Sequence, residues 1–182
     1  MGGFKKLDER TIYQGDRITL GRAAFESPGG ERFERDVVHH PGAVGVVPVV
    51  DDATAVLLVR QFRAPVEREL LEIPAGLRDV AGEPPEETAR RELVEEVGMR
   101  AGRIEKLCAF TNSPGFCDEV VHVFAAFDLE ECDNDLKGIE EAHMTVEKVA
   151  LDDVPELIRR GDITDAKTVI GLTLTRDLLR ES

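Results

Sequence analysis

The chain has 182 residues, and its 37 acidic and 23 basic side chains give a formal net charge of -14 at pH 7. Hydrophobic residues make up 42% of the sequence, which is enough for one core and predicts a single main domain. A surface this acidic repels nucleic acid, whose binding depends on basic patches, so no nucleic-acid partner is expected. Phosphorylated small molecules would also be repelled unless cations or local arginines intervene.

No membrane partner is expected either. No apolar run reaches the roughly 18 residues that a membrane-spanning helix needs. The first residues, MGGFKKLDER, lack the apolar segment of a secretory signal. Cys108, Cys117 and Cys132 are odd in number and lack the spacing of metal-binding pairs. These features predict a cytoplasmic protein with reduced thiols.

The first half of the chain is rich in strand patterns. Residues 11–38 predict short strands that meet at the turn Ser27–Gly30. The stretch AVGVVPVVDDATAVLLVRQF has two apolar, β-branched runs around Asp51–Ala53, which predicts a hairpin. The stretch ELLEIPAG then predicts a short strand that ends in a turn at Ala75–Gly76.

The second half adds helices. Pro84 and Pro85 favour a helix start, and Gly98 favours its end. The stretches EVVHVFAAFDL and MTVEKVAL predict strands, with an acidic loop over 130–143 between them. Helices are predicted around Val154–Arg160 and from Asp165, a candidate N-cap, to about Leu179. Because strands and helices mix without regular alternation, the expected fold is α+β, a mixed α/β sandwich.

The helix that follows Pro85 carries an unusual acidic face. Glu92, Glu95 and Glu96 share an arc of about 100° on the helix, and Leu93, Val94 and Val97 occupy the opposite arc. Like charges one turn apart cost a few tenths of a kcal/mol per pair. The face is therefore either a solvated acidic surface or a site for a hard divalent cation, which prefers carboxylate oxygens.

The neighbouring residues favour the cation. The segment Gly76–Met99 resembles the signature of the Nudix hydrolases, G-x5-E-x7-R-E-U-x-E-E-x-G-U with U aliphatic, and departs from it only in having six residues between Gly76 and Glu83. The resemblance implies a Nudix fold, in which helices flank a mixed β-sheet, and a Mg²⁺-dependent hydrolase, with Mn²⁺ as an alternative metal. It further implies a Nudix domain over 39–182, an N-terminal antiparallel strand region over 1–38, and a homodimer formed with the help of that region.

A second segment is similar to the ADP-ribose pyrophosphatase branch of this family. In TNSPGFCDE, Pro114 lies fifteen residues beyond Met99, although a Pro-Gly pair is also typical of an ordinary turn. The resemblance implies hydrolysis of ADP-ribose to AMP and ribose 5-phosphate. Two alternatives stay open: a pyrophosphatase for another sugar nucleotide or adenine dinucleotide, and a non-catalytic ADP-ribose sensor.

The resemblance also implies roles for individual residues. It makes Ala75 (through its carbonyl), Glu92 and Glu96 the metal ligands. The implied substrate contacts are Arg63, Leu77, Ser113, Pro114, Gly115 and Glu119. The implied general base is Glu141, with Glu140 as the alternative by one residue and Glu95 as the next candidate.

The remaining arginines near the signature and the histidines are expected to have other roles. Arg91 is expected to orient acids of the loop or helix, since its planar guanidinium can contact two carboxylate oxygens at once. Arg60 and Arg78 are either further phosphate contacts or solvated arginines. The four histidines are expected to be structural or solvated, because Mg²⁺ prefers oxygen ligands.

Overall fold

The computed structural model describes residues 3–133 and 143–181. The chain forms two compact units: residues up to Gly42 together with Phe110–Val120, and Ala43–Ala109 together with the residues from Val121 onward. Among the described residues, no helix combines the length and the apolar character that a membrane crossing requires.

The smaller unit contains a three-stranded antiparallel sheet. Its strands are β1 (Lys5–Gln14), β2 (Thr19–Glu26) and β3 (Arg32–His39), in the order β1-β2-β3. The turn between β2 and β3 is closed by the N–H of Ser27, which donates to the Glu31 carbonyl at 2.9 Å. The predicted strands and turn are therefore confirmed, and the first strand begins earlier than predicted.

The larger unit is built on a seven-stranded mixed sheet. Its main order is β10-β5-β4-β9-β8, with β6 paired to β5 and β7 paired to β4. Strand β4 runs parallel to β9 and antiparallel to β5 and β7. The strands are β4 (Ala43–Val50), β5 (Ala55–Arg63), β6 (Arg68–Glu72), β7 (Ala75–Leu77), β8 (Met99–Thr111), β9 (Val120–Glu131) and β10 (Thr145–Ala150), and a 3-10 turn spans Ala64–Val66.

Helices cover both faces of this sheet. They are α1 (Pro85–Val97), α2 (Val154–Arg160) and α3 (Ala166–Glu181). Leu93 of α1 belongs to the buried cluster that contains Val46 of β4. The next residue, Val47, points to the opposite face, where a Cβ on Gly171 of α3 would lie 3.0 Å from its Cγ2. The predicted α+β sandwich, a mixed sheet flanked by helices, is confirmed.

The local signals at element ends also agree with the structure. Helix α1 begins at Pro85, and Gly98 ends it in the left-handed conformation with φ 66°. The predicted hairpin turn at Asp51–Ala53 connects β4 to β5, and all three of its residues have positive φ.

One local prediction was wrong. Ala75–Gly76 do not form a turn, because Ala75–Leu77 pair as strand β7 with Ala43–Gly45 of β4. The reason is that β5 pairs with β4 only at Val49–Val50, so the first residues of β4 have backbone groups that β7 can satisfy.

Candidate active site

The two implied metal carboxylates of α1 are buried rather than solvated. Glu92 is 7% exposed and Glu96 is 5% exposed, and they lie one helical turn apart. A buried carboxylate requires hydrogen bonds or positive charge to offset its lost hydration. The acidic face is therefore not an ordinary solvated surface.

Strand β7 lies directly against these carboxylates. The backbone N–H of Ala75 donates to Oε2 of Glu96 at 3.0 Å. A Cβ atom on Gly76 would lie 2.0 Å from Cδ of Glu92, so only glycine leaves room for that carboxylate. The structure thus brings Ala75, Glu92 and Glu96 together, and Leu77 continues the same strand opposite Ala43.

Arg91 holds the acidic groups of the loop and the helix. Its guanidinium lies 2.7 Å from Glu92, 3.2 Å from Glu95, 3.5 Å from Glu83 and 3.8 Å from Asp79. Burial alone would lower the pKa of Arg91, but the surrounding carboxylates raise it above its ordinary value. Arg91 is therefore fully charged and connects the four acids, which is the orienting contact expected of it.

The extra loop residue does not separate Glu83 from this network. The Thr88 hydroxyl donates to Glu83 Oε2 at 2.8 Å, and Arg91 reaches the same oxygen at 3.5 Å. The hydrogen bond from Thr88, followed by that from Arg91, lowers the pKa of Glu83 below its usual value. Glu83 is thus ionised and lies where it orients Arg91.

The donor set fits a hard divalent cation. Glu92 and Glu96 offer carboxylate oxygens, the ligand type that Mg²⁺ and Mn²⁺ prefer. Within residues 3–133 and 143–181, no three His, Cys, Asp or Glu side chains converge as a complete metal site. Since Mg²⁺ usually binds through one or two carboxylates plus phosphate and water oxygens, a partial carboxylate set of this kind is compatible with it.

Arg63 is the positively charged residue among the implied substrate contacts. In the structure it has an ion-pair partner that the sequence did not reveal. Its guanidinium donates from two nitrogens to the two carboxylate oxygens of Glu72, at 2.8 and 2.7 Å. Arg60, by contrast, pairs with Glu147, with nitrogen–oxygen distances of 2.5 and 3.1 Å.

The segment that holds Ser113, Pro114 and Gly115 belongs to the smaller unit. It is a tight turn, because the N–H groups of Phe116 and Cys117 both donate to the carbonyl of Ser113, at 3.1 and 2.9 Å. A Cβ on Gly115 would meet nothing within 4 Å, so its environment does not require glycine.

Glu119, the last implied substrate contact, is held beside this turn. Asn112 Nδ2 donates to Glu119 Oε2 at 3.0 Å, and His40 Nδ1 lies 3.5 Å from Glu119 Oε1. Glu119 thus lies with the Ser113–Gly115 turn in the smaller unit, whereas the α1 carboxylates and Arg63 belong to the larger unit. The implied base Glu141 and its alternative Glu140 lie outside the described residues.

His39 has a contact pattern that no local sequence signal revealed. Its Nδ1 lies 2.5 Å from Asp118 Oδ2 and its Nε2 lies 2.5 Å from Glu9 Oε1. The hydrogen bonds to Glu9 and then Asp118 raise the pKa of His39. The imidazolium therefore joins β1 to the segment that carries Glu119, which is a structural role of the kind expected for the histidines.

Comparison with known proteins decides the family. The model of the NUDIX domain matches residues 39–169, well over half of the chain. The chain belongs to the Nudix family. The Nudix signature over Gly76–Met99 is therefore a family motif, and this protein is a Nudix hydrolase, an enzyme class that generally depends on a divalent metal.

Two relatives and one solved structure are similar to most of this chain. An ADP-ribose pyrophosphatase of Bacillus subtilis is 41% identical over 174 residues, which cover 93% of each chain. An ADP-ribose pyrophosphatase of Mycobacterium tuberculosis is 38% identical, with 93% of this chain and 81% of the relative covered. A crystal structure of an ADP compounds hydrolase aligns with TM-score 0.86 and 26% identity, covering 100% of this chain and 96% of the other.

Proposed function

We propose that this Nudix hydrolase cleaves the pyrophosphate of ADP-ribose to give AMP and ribose 5-phosphate, with Mg²⁺ as its metal. The observation that carries the chemistry is the contact of β7 with α1, where Ala75 and Gly76 lie against Glu96 and Glu92. The choice of ADP-ribose is supported by the similar proteins of that name, which align over nearly the whole of this chain.

The residues of the chain divide the work as follows. Glu92, Glu96 and the Ala75 carbonyl would hold the metal, and Arg91 keeps the carboxylates in place. The chemistry that a bound Mg²⁺ supplies is neutralisation of phosphate charge and a lower pKa for the attacking water. Glu141 accepts the proton of that water, and Glu95 is the next candidate for this role.

The proposed substrate contacts are those that the family resemblance implies. Arg63 pairs with a phosphate of the pyrophosphate, and Leu77 packs against the substrate. Ser113, Pro114, Gly115 and Glu119 form the remaining contacts. With a net charge of -14, the protein would repel a diphosphate unless local positive charge, such as that of Arg63 or of a metal cation, offsets the repulsion.

The test is a product assay over a panel of nucleoside diphosphate compounds with Mg²⁺. We expect ADP-ribose to give the highest kcat/KM. A tenfold higher value for another compound would overturn the substrate assignment, and GDP-mannose belongs in the panel because a GDP-mannose pyrophosphatase of Cronobacter sakazakii is 32% identical over 148 residues. Tight binding of ADP-ribose without turnover would indicate the sensor instead.

We also propose that the protein is cytoplasmic and forms a homodimer through the strand region of residues 1–38. All three cysteines are free, and reduced thiols are typical of cytoplasmic proteins. This region exposes large apolar side chains, including Phe4 (68%), Ile12 (46%) and Tyr13 (61%). Sedimentation at micromolar concentration should show a dimer, and a monomer alone would refute this proposal.

A further inference from the structure

Glu72 is the most deeply buried carboxylate of the site region. It ends strand β6 and is 1% exposed. Burial alone would raise the pKa of Glu72, but the hydrogen bonds of Arg63 and the charge of Lys167 lower it. The carboxylate is therefore ionised, and such a buried ion persists only while its cationic partners stay in place.

Lys167, on the first turn of α3, is the second partner of Glu72. Its ammonium forms an ion pair with Glu72 and lies 3.0 Å from Asp165 Oδ2, and its side chain is only 13% exposed. Its position is fixed by the cap of the helix, since Asp165 accepts the N–H and the hydroxyl of Thr168 at 2.9 and 2.6 Å.

The same cap is joined to the strand side of the site. The Thr168 hydroxyl oxygen accepts the backbone N–H of Ile73 at 2.9 Å, and Ile73 follows Glu72 in the chain. The first turn of α3 therefore contacts the β6–β7 connection through both a neutral hydrogen bond and an ion pair.

Arg63 is the other cationic partner of Glu72. Its hydrogen bonds to Glu72 raise its pKa, and the charges of Asp165 and Glu96 add to the effect. Glu72 occupies two of the N–H groups of Arg63, and a guanidinium has five in all. The remaining donors suit a phosphate oxygen.

We propose that Lys167 is a positioning residue for substrate binding: it holds Glu72, and Glu72 fixes the guanidinium of Arg63 for a phosphate of the substrate. Arg63 and Lys167 balance the charges of Glu72 and Asp165. Without Lys167, two carboxylates share one guanidinium, so less of the positive charge of Arg63 is available to the substrate. The inference rests on the proposed function in that Arg63 contacts the pyrophosphate.

The experiment is a double-mutant cycle between Lys167→Met and Arg63→Met. Alone, Lys167→Met should raise KM for ADP-ribose and Kd for its uncleavable α,β-methylene analogue by roughly tenfold, the order of one charge-assisted hydrogen bond. The kcat and the Mg²⁺ concentration for half-maximal activity should change by less than about threefold. In the Arg63→Met background, Lys167→Met should add nothing to either quantity.

The control is Lys148→Met, which removes an exposed lysine that lies 2.8 Å from Asp51, and it should leave KM and Kd unchanged. If Lys167→Met weakens binding equally in both backgrounds, Lys167 contacts the substrate itself and the inference is overturned. A lower Tm with unchanged KM and Kd overturns it as well, because the lysine would then be only structural.

Two further measurements distinguish a failure of the inference from a variant that does not fold and from a wrong substrate assignment. If Lys167→Met does not fold, Glu72→Gln, which keeps the side-chain size, should show the same rise in KM and the same loss of effect without Arg63. If wild type prefers another nucleoside diphosphate, the substrate assignment fails, and the same cycle with that compound decides the inference separately. A wild type that binds none of the compounds overturns both.

Discussion

Gly76 of β7 and Glu92 of α1 are packed so closely that a Cβ on Gly76 would lie 2.0 Å from both Cδ and Oε1 of Glu92. The Glu92 atoms that would have to move are at the end of a flexible side chain. We therefore expect Gly76→Ala to fold, because the Glu92 carboxylate can rotate away, and to lose its metal geometry for the same reason.

The expected loss is about 10²-fold in kcat/KM, the order that a 1 Å displacement of a catalytic group costs. The Mg²⁺ concentration for half-maximal activity should rise. Gly29→Ala is the matched control, since its Cβ would meet Ser27 Oγ at an ordinary 3.6 Å. Equal activity of the two variants at all Mg²⁺ concentrations would contradict the proposed role of Glu92.

Glu96→Gln should remove metal-dependent turnover while the fold survives. The glutamine keeps an oxygen that can accept the Ala75 N–H, so the free energy of unfolding should change by about 1 kcal/mol or less. Turnover should fall roughly 10²-fold or more, as when a charge-stabilising group is removed. Glu86→Gln, at an exposed position of the same helix, is the control for steady-state kinetics and thermal unfolding. Wild-type activity in Glu96→Gln would show that Glu96 is not a ligand.

Glu141→Gln should lower kcat by roughly 10²–10⁴-fold, the usual contribution of general acid–base catalysis. Binding of the uncleavable analogue should change little, because glutamine keeps the size and polarity of the side chain. Glu140→Gln, measured beside it, should be much milder. If Glu140→Gln has the larger loss of kcat, Glu140 is the base instead. If neither variant loses much kcat, Glu95 is the next candidate.

His39 should make the stability of the smaller unit depend on pH. Its pKa is raised in the folded state, so its contribution to stability is complete below the unfolded pKa of about 6.5 and is lost as pH rises through the higher folded value. The Tm difference between wild type and His39→Gln should therefore shrink from pH 6.5 upward. His143→Gln, at an exposed histidine, is the control, and a difference that grows with pH would contradict the assignment.

The sequence predicted those features that local signals determine. Pro85 and Gly98 mark the ends of α1, and Asp165 caps α3 through the Thr168 N–H, because these signals act within one helical turn. The acidic face of α1 was identifiable for the same reason. Strand β8, at Met99–Thr111, was not predicted, since its mixed burial pattern lacks regular alternation.

Contacts between distant parts of the chain could not be predicted in this way. Glu72 resembles any acid at the end of a strand, and Lys167 resembles any lysine of a helix first turn. Only the fold shows that they form an ion pair, and likewise that His39 meets both Glu9 and Asp118. Tertiary pairing of charges has no period in the sequence, so pattern reasoning does not find it.

The ion pair between Glu72 and Lys167 joins residues that are 95 positions apart in the chain. A contact of such long range requires closure of the chain between the two residues, so it depends on the tertiary fold. The first turn of α3 should exchange its amide hydrogens through local openings that break this ion pair. A ligand that pairs with Arg63 should slow this exchange, so the amide hydrogens of α3 would report occupancy of the site.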